Sequence, residues 1–486
     1  MIGDRTKKSV SDPVHGTIPL NEVEARVMQT QVFQRLRRVK QLGLAHYVYP
    51  SADYSRLAHS LGVCHITGLT IQSLARNGFA ESEEDYQYYR LAALLHDVGH
   101  YPLSHCTEHA VLDYYEERRA EAKLKKKDDG SGPKSHDGEE LEGIKHERVS
   151  ELVLLEDKEL RAVLESHGYD PSKIASIFLR QNTADFPLSN LISSDLDADR
   201  FDYLLRSSRA TGLPYGSIDF EYLLSQLARD EDGKVCIQKK AMRAAEHFLL
   251  SRYFDYQQVV FHKAVVGLEN ITQQVVRSML DKSLLNYSKA TVREAIAQNG
   301  FRSGRDVNCW LNWDDDQLMS TILDYYRENQ DTVDGLKARC LLERRPPKLV
   351  AEIEMIDPRS DGRPFKAFQL NVQTAFNTRA NQIGLERDQH FSWYRSVELT
   401  SVASRIPATD RSKKFEEERE KSVRIMKQDG RSSDFLFNHR GSLMSTLSDS
   451  ALYMFRIYVV PKPDQEVAVT ELKSQLWADV PDAPWT

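Results

Sequence analysis

Cysteine is scarce in this chain: five residues (Cys64, Cys106, Cys236, Cys309 and Cys340), an odd number with no Cys-x-x-Cys pair. That spacing excludes a zinc ribbon and gives no disulfide framework, which fits a reducing compartment. Long apolar runs are missing as well. No stretch of about 18 apolar residues is present to span a bilayer, and the opening segment from Met1 to Lys8 has no apolar signal core. The expectation is a cytoplasmic protein without a membrane segment. An excess of basic residues is the third absence, with Lys and Arg numbering 65 against 72 Asp and Glu, a formal net charge of -7 and a pI near 6.1. This balance excludes a chain built mainly to coat nucleic acid, yet it permits a local basic pocket for a phosphorylated ligand.

What is present concentrates between Leu91 and His105. An apolar helical run gives way to His96, Asp97, His100 and His105 beside Gly99 and Pro102. Adjacent side chains on a helix diverge by roughly 100°, so His96 and Asp97 can converge on a cation only where the helix ends. A single histidine there would read as a hydrogen-bonded core residue. Four titratable groups beside glycine and proline read as a site.

Other segments organise around it. Ser11 to Leu20 carries the Pro and Gly of a turn leading into a strand or hairpin. From Glu22 to Leu42 the apolar residues approximate helical spacing with a break near Thr30, and Arg35, Arg37, Arg38 and Lys40 read as its solvated face. Arg56 and His59, three residues apart, share a helix face. Carboxylates at Asp195, Asp197, Asp199 and Asp202 exceed what a helix surface needs, but the glycine and glutamate of a calcium loop are missing. Residues about 117–143 mix both charges with almost no large apolar side chain, the composition of a frayed helix entering a mobile insertion. Glu343 to Val350 and the alternating Tyr453 to Val460 read as strands, while Asp410 to Asp429 is charged and helical in composition.

Taken together, His96-Asp97, Gly99-His100, Pro102 to His105, Arg56 with His59-Ser60-Leu61-Gly62-Val63, His146-Glu147 and Asp197 to Tyr203 resemble the HD-domain phosphohydrolases, in particular the deoxynucleoside triphosphate triphosphohydrolase branch. The resemblance is strong over residues 11 to about 280 and faint over 340–460. It implies a mainly α fold, an HD-domain helical bundle with a small α+β C-terminal lobe. The corresponding division is a core at 1–290 and a helical extension with the lobe at 291–486.

The resemblance also assigns roles. His59, His96, Asp97 and Asp199 are the implied metal ligands, a nitrogen and oxygen set suited to Fe, Mn or Mg, with Zn or Ni able to occupy it in a purified sample. His146 is the implied general acid, with His100, His105 and Glu108 completing the network around water and phosphates. Gln41 and Leu42 fall where related enzymes contact base and sugar, and Arg56, Arg200, Tyr203 and Arg252 where they contact the triphosphate. Arg37 and Lys263 match a regulatory nucleotide site. The implied reaction attacks the α-phosphorus of a dNTP, releasing deoxynucleoside and tripolyphosphate, and the implied assembly is a homo-oligomer, a dimer or tetramer.

Departures from the family pattern limit what carries over. The catalytic motifs begin at once, without the extra helical interaction domain of animal members. Gln29 stands where those members read an activating guanine with Asp, Ser207 where an Asp contacts the sugar 3′-hydroxyl, and Val260 where a tyrosine closes over the sugar. Two other classes stay open. The same ligand set could serve nucleoside monophosphates, cyclic nucleotides or single-stranded DNA, or the body could bind nucleotides or nucleic acid without catalysis.

Overall fold

A computed structural model describes residues 7–128, 141–181, 184–192, 194–297, 309–358, 363–398, 420–447 and 450–480. The centre of the expected insertion, 129–140, and much of the charged 410–429 segment lie outside the described residues. Before that gap lies the helix His105–Asp128.

The fold is mainly α, as the resemblance implied. Strands Lys8–Asp12 and Gly16–Leu20 pair as an antiparallel hairpin. Helix Glu22–Gln29 stops at Thr30, whose extended backbone also caps the short helix Gln31–Arg35. The long helix Arg56–Arg76 is capped by the Ser55 hydroxyl and packs against Glu83–Leu95 and Ala198–Thr211. These three helices carry His59, His96 and Asp199 to one place.

The basic face expected between Arg35 and Lys40 is only partly solvated. Arg35 is fully buried, donates to the His100 carbonyl at 2.7 Å and lies 4.1 Å over the Trp310 ring. Arg38 pairs with Asp314, and Lys40 lies 3.7 Å from Asp315, so Arg37 alone of the four is fully on the surface. The spacing of apolar residues could not reveal acidic partners almost 280 positions away.

One apolar core extends from Ile18 through the helices above and takes in Trp310, Trp313, Tyr325 and Leu341. Residues 309–342 therefore pack into the same body as the site. Beyond them, strands Lys348–Pro358, Ser450–Val459 and His390–Glu398 form an antiparallel sheet with Ser450–Val459 in the centre. Alternation along the central strand covers both faces. Ala451, Tyr453, Phe455, Ile457 and Val459 meet the lobe helices, while Leu452, Met454 and Tyr458 pack against Phe261 and Val266 of the helical body.

One glycine fixes how closely the site can assemble. A Cβ on Gly99 would sit 2.1 Å from the Ser150 backbone nitrogen, and the Gly99 N–H donates to Ser150 Oγ at 2.9 Å while that hydroxyl donates to the His96 carbonyl at 2.7 Å. The loop after His96 and the helix His146–Glu156 are thereby locked together. Gly99→Ala is expected to destabilise the protein by about 1–3 kcal/mol through overpacking against backbone, read as a lower denaturant midpoint at unchanged slope.

Candidate metal centre and cleft

The site is built from helix ends. His96 is the C-terminal cap of helix Glu83–Leu95, and Asp97 follows it. The His96 Nδ1 lies 2.8 Å from the Ala93 carbonyl, which accepts the Nδ1 proton and leaves Nε2 as a lone-pair donor. His59, wholly buried, is treated the same way by a side chain. Its Nδ1 donates to Asp202 at 2.8 Å, and its Nε2 lies 3.0 Å from Asp199 and 3.7 Å from Asp97 with no hydrogen bond to either.

Two imidazole nitrogens thus face two carboxylates, and ligand atoms of His59, His96 and Asp199 lie within 4.8 Å of one another. Asp97 borders that group. Its Oδ1 is 3.4 Å from His96 Nε2, and its Oδ2 pairs with Arg56. An orphaned buried nitrogen among carboxylates fits a divalent cation. The charge balance agrees, since burial opposes a charged His59 yet Asp199 and Asp202 raise its pKa to about 9. In the absence of a metal, a proton is drawn into the position a cation would hold.

Asp202 is the support behind His59. It also accepts from His15 at 2.6 Å and from Nε and Nη2 of Arg206 at 2.9 and 2.8 Å, while Nη1 of that arginine reaches Asp12 of the N-terminal hairpin at 2.8 Å. A Cβ at Gly62 would lie 1.8 Å from Asp202 Oδ1, so that helix must carry glycine there. The sequence marks Asp202 only as one of a surplus of carboxylates between 195 and 202, and it assigns no role to Asp202 or Arg206.

A second cluster adjoins the first. Glu108 accepts from His105 Nδ1 at 2.8 Å and from His146 Nδ1 at 2.8 Å, and the His146 ring stacks on His100 at 3.9 Å between centroids. These four side chains are also close enough to hold an ion. Both Glu108 oxygens are already engaged by imidazole N–H groups, however, so the group reads as a hydrogen-bonded relay. Burial disfavours charge on His146, but the Glu108 carboxylate outweighs it and raises the pKa to about 9. Burial, reinforced by Arg56, pushes His100 well below its ordinary value.

A cleft of about 850 Å³ opens over both clusters. Gln41, Leu42, Arg56, Arg200, Tyr203 and Arg252 all line it, as do His96, Asp97, His100, His105, His146 and Asp199. His59 and Glu108 stand behind these, while Arg37 and Lys263 are exposed and do not line the cleft. Arg200 and Arg252 converge on Asp195, at 2.5 and 3.5 Å. Ser207 shares a hydrogen bond with the Tyr54 hydroxyl at 2.8 Å, and Val260 lines the cleft. The far wall, Trp393 to Arg395, comes from the C-terminal sheet and carried no sequence signal.

Residues 56–204 match the family model described as HD domain. An uncharacterized protein of Bacillus subtilis, YwfO, is 30% identical over 273 residues, covering 56% of this chain and 55% of its own. The human deoxynucleoside triphosphate triphosphohydrolase SAMHD1 is 42% identical over 102 residues, 21% of this chain and 16% of its own. The chain spans about half the length of the first curated relatives it matches. A crystal structure of a hypothetical protein from Aquifex aeolicus superposes with a TM-score of 0.66 at 25% identity, covering 96% of this chain and 99% of that one. No helix among the described residues is long and apolar enough to cross a membrane.

The His146–Glu108 pair has a pH signature. A folded pKa near 9 exceeds the unfolded value of about 6.5, so the pair's stabilisation is full below about pH 6.5 and is lost as pH rises through 9. In metal-free protein, Glu108→Gln is expected to lower the His146 titration seen by NMR by more than one unit and to flatten the fall in stability between those pH values.

Proposed function

The chain carries an HD domain over residues 56–204, and on that premise we propose that it is a metal-dependent phosphohydrolase that cleaves deoxynucleoside triphosphates to deoxynucleoside and tripolyphosphate. The observation that carries this reading is the convergence, at one cleft, of two imidazoles that spend Nδ1 elsewhere, an acidic pair, a histidine hydrogen-bonded to Glu108 and three arginines.

His59, His96, Asp97 and Asp199 would hold the ion. Nitrogen and oxygen donors without thiolate suit iron, manganese or magnesium better than a structural zinc. When bound, such an ion supplies Lewis-acid polarisation of a phosphoryl oxygen.

The chain's own residues do the rest. Arg56 is held at Nε by the Ser104 hydroxyl at 2.8 Å and at Nη1 by Asp97, which leaves its buried Nη2 without a partner among the described residues and available to a phosphate oxygen. Arg200 and Arg252, gathered on Asp195, present a guanidinium pair suited to the remaining phosphates. Water attacks the α-phosphorus, the bond to the 5′ oxygen breaks, and protonated His146 gives its proton to that oxygen while Glu108 keeps the ring oriented and charged. His100, stacked on His146 and kept neutral, and His105 complete this wall.

A regulatory nucleotide at Arg37 and Lys263 belongs to the same proposal. Because both are exposed outside the cleft, such a ligand would act from the surface. A homo-oligomer is the assembly in which such surface sites are shared.

The test is product identification. Purified protein with Mn²⁺ and the four dNTPs, singly and mixed, is expected to yield free deoxynucleoside and tripolyphosphate, with turnover abolished by chelation. Orthophosphate or pyrophosphate as the product, or no turnover in any mixture, contradicts the proposal and redirects it to monophosphates, cyclic nucleotides or DNA ends. His146→Gln is expected to lower kcat by about 10²–10⁴-fold at unchanged metal content.

A further inference from the structure

The cleft is lined by two chemically different groups of side chains. The arginines and histidines described above form one. The other is built by the helix Lys263–Asp281 together with the Gln41–Gly43 segment and strand His390–Glu398 of the lobe. There Glu269 lines the cleft, and its Oε1 lies 3.7 Å from where a Cβ on Gly43 would be, next to Leu42. Among the described residues no hydrogen bond or ion pair engages its carboxylate. Gln41 adds a buried Oε1 acceptor, again without a partner. Arg395 of the lobe strand also lines the cleft and acts through space on Glu269, as it does on His109 and Asp113.

Resting on the nucleotide reading of this cleft, we propose that Glu269 and Arg395 make it selective for guanine. An acceptor-rich wall needs a base rich in donors. Guanine alone presents N1–H and an exocyclic amino group side by side, which a carboxylate can accept together. On its opposite edge O6 and N7 form the acceptor pair that a guanidinium fits in two places. Thymine offers one N–H between two carbonyl oxygens and would set an oxygen against the carboxylate. Burial pushes the Glu269 pKa up to about 7 with Arg395 opposing, the state of a carboxylate short of donors, which a guanine edge would supply.

The full chain with Mn²⁺ is given an equimolar mixture of the four dNTPs, and each deoxynucleoside is followed over time, so that the ratios report relative kcat/KM. A parallel thermal-shift series with each dNTP alone ranks binding without turnover. The expected result is a dGTP preference over dTTP of about tenfold or more, falling about tenfold in Glu269→Gln, with Arg395→Met shifting the ratio the same way should the first variant fold poorly. Equal use of the four bases, or a ratio unchanged in both variants, overturns the guanine assignment and leaves the hydrolase reading intact. No turnover of any dNTP by the wild-type chain sinks the hydrolase reading instead, and the thermal-shift ranking then decides selectivity alone: a larger shift with dGTP than dTTP, lost in Glu269→Gln, supports it, and equal shifts refute it.

Discussion

The orientation of two imidazole rings is the constraint on which the rest of the site depends. His59 and His96 each spend Nδ1 on a fixed acceptor, Asp202 in one case and a backbone carbonyl in the other, so both present Nε2 to the same small volume. An imidazole with one nitrogen committed cannot rotate without leaving its acceptor unpaired, a carboxylate behind His59 and a backbone carbonyl behind His96, and that cost holds each ring in place. Asp202 is itself held by His15 and Arg206, and Arg206 by Asp12. The small N-terminal hairpin therefore supports the candidate metal centre although it touches none of the proposed ligands.

The same economy appears on the other wall. Glu108 stabilises a charged His146 and orients its ring in one interaction, while His100 lies flat against that ring and stays neutral. Asp315, from a helix more than 200 residues further along, accepts from the Leu103 and Lys40 backbone N–H groups at 2.7 and 3.0 Å. Those contacts hold Leu103 and Ser104 at positive φ, 52° and 57°, which turns the Ser104 hydroxyl towards Arg56. Local backbone strain beside the site is thus maintained by a distant buried carboxylate.

Much of this was legible in the sequence because the ligands lie in short strings with strong spacing. The histidines after Leu91, the Arg56 and His59 pair, and the carboxylates from Asp195 onward all line one cleft or stand directly behind it. The break at Thr30, the hairpin and the alternating strand at 453–460 were readable from local pattern. Contacts between distant positions were not. Arg35 reads as one of several surface cations until Asp314, Asp315 and Trp310 fold around it. Trp393 and Arg395 carry no local signal, and gain a place at the cleft only because the lobe docks on Phe261. Glu269 sits on an amphipathic helix where one acidic residue attracts no notice, and only the cleft gives it a meaning.

The central claim is that His59 and His96 hold the ion through their free Nε2 atoms. X-ray absorption on Mn²⁺-loaded protein counts imidazole ligands directly. The account predicts two imidazoles per manganese in the native chain and one in His59→Ala. A spectrum with oxygen ligands alone, or one unaltered by that substitution, would contradict it.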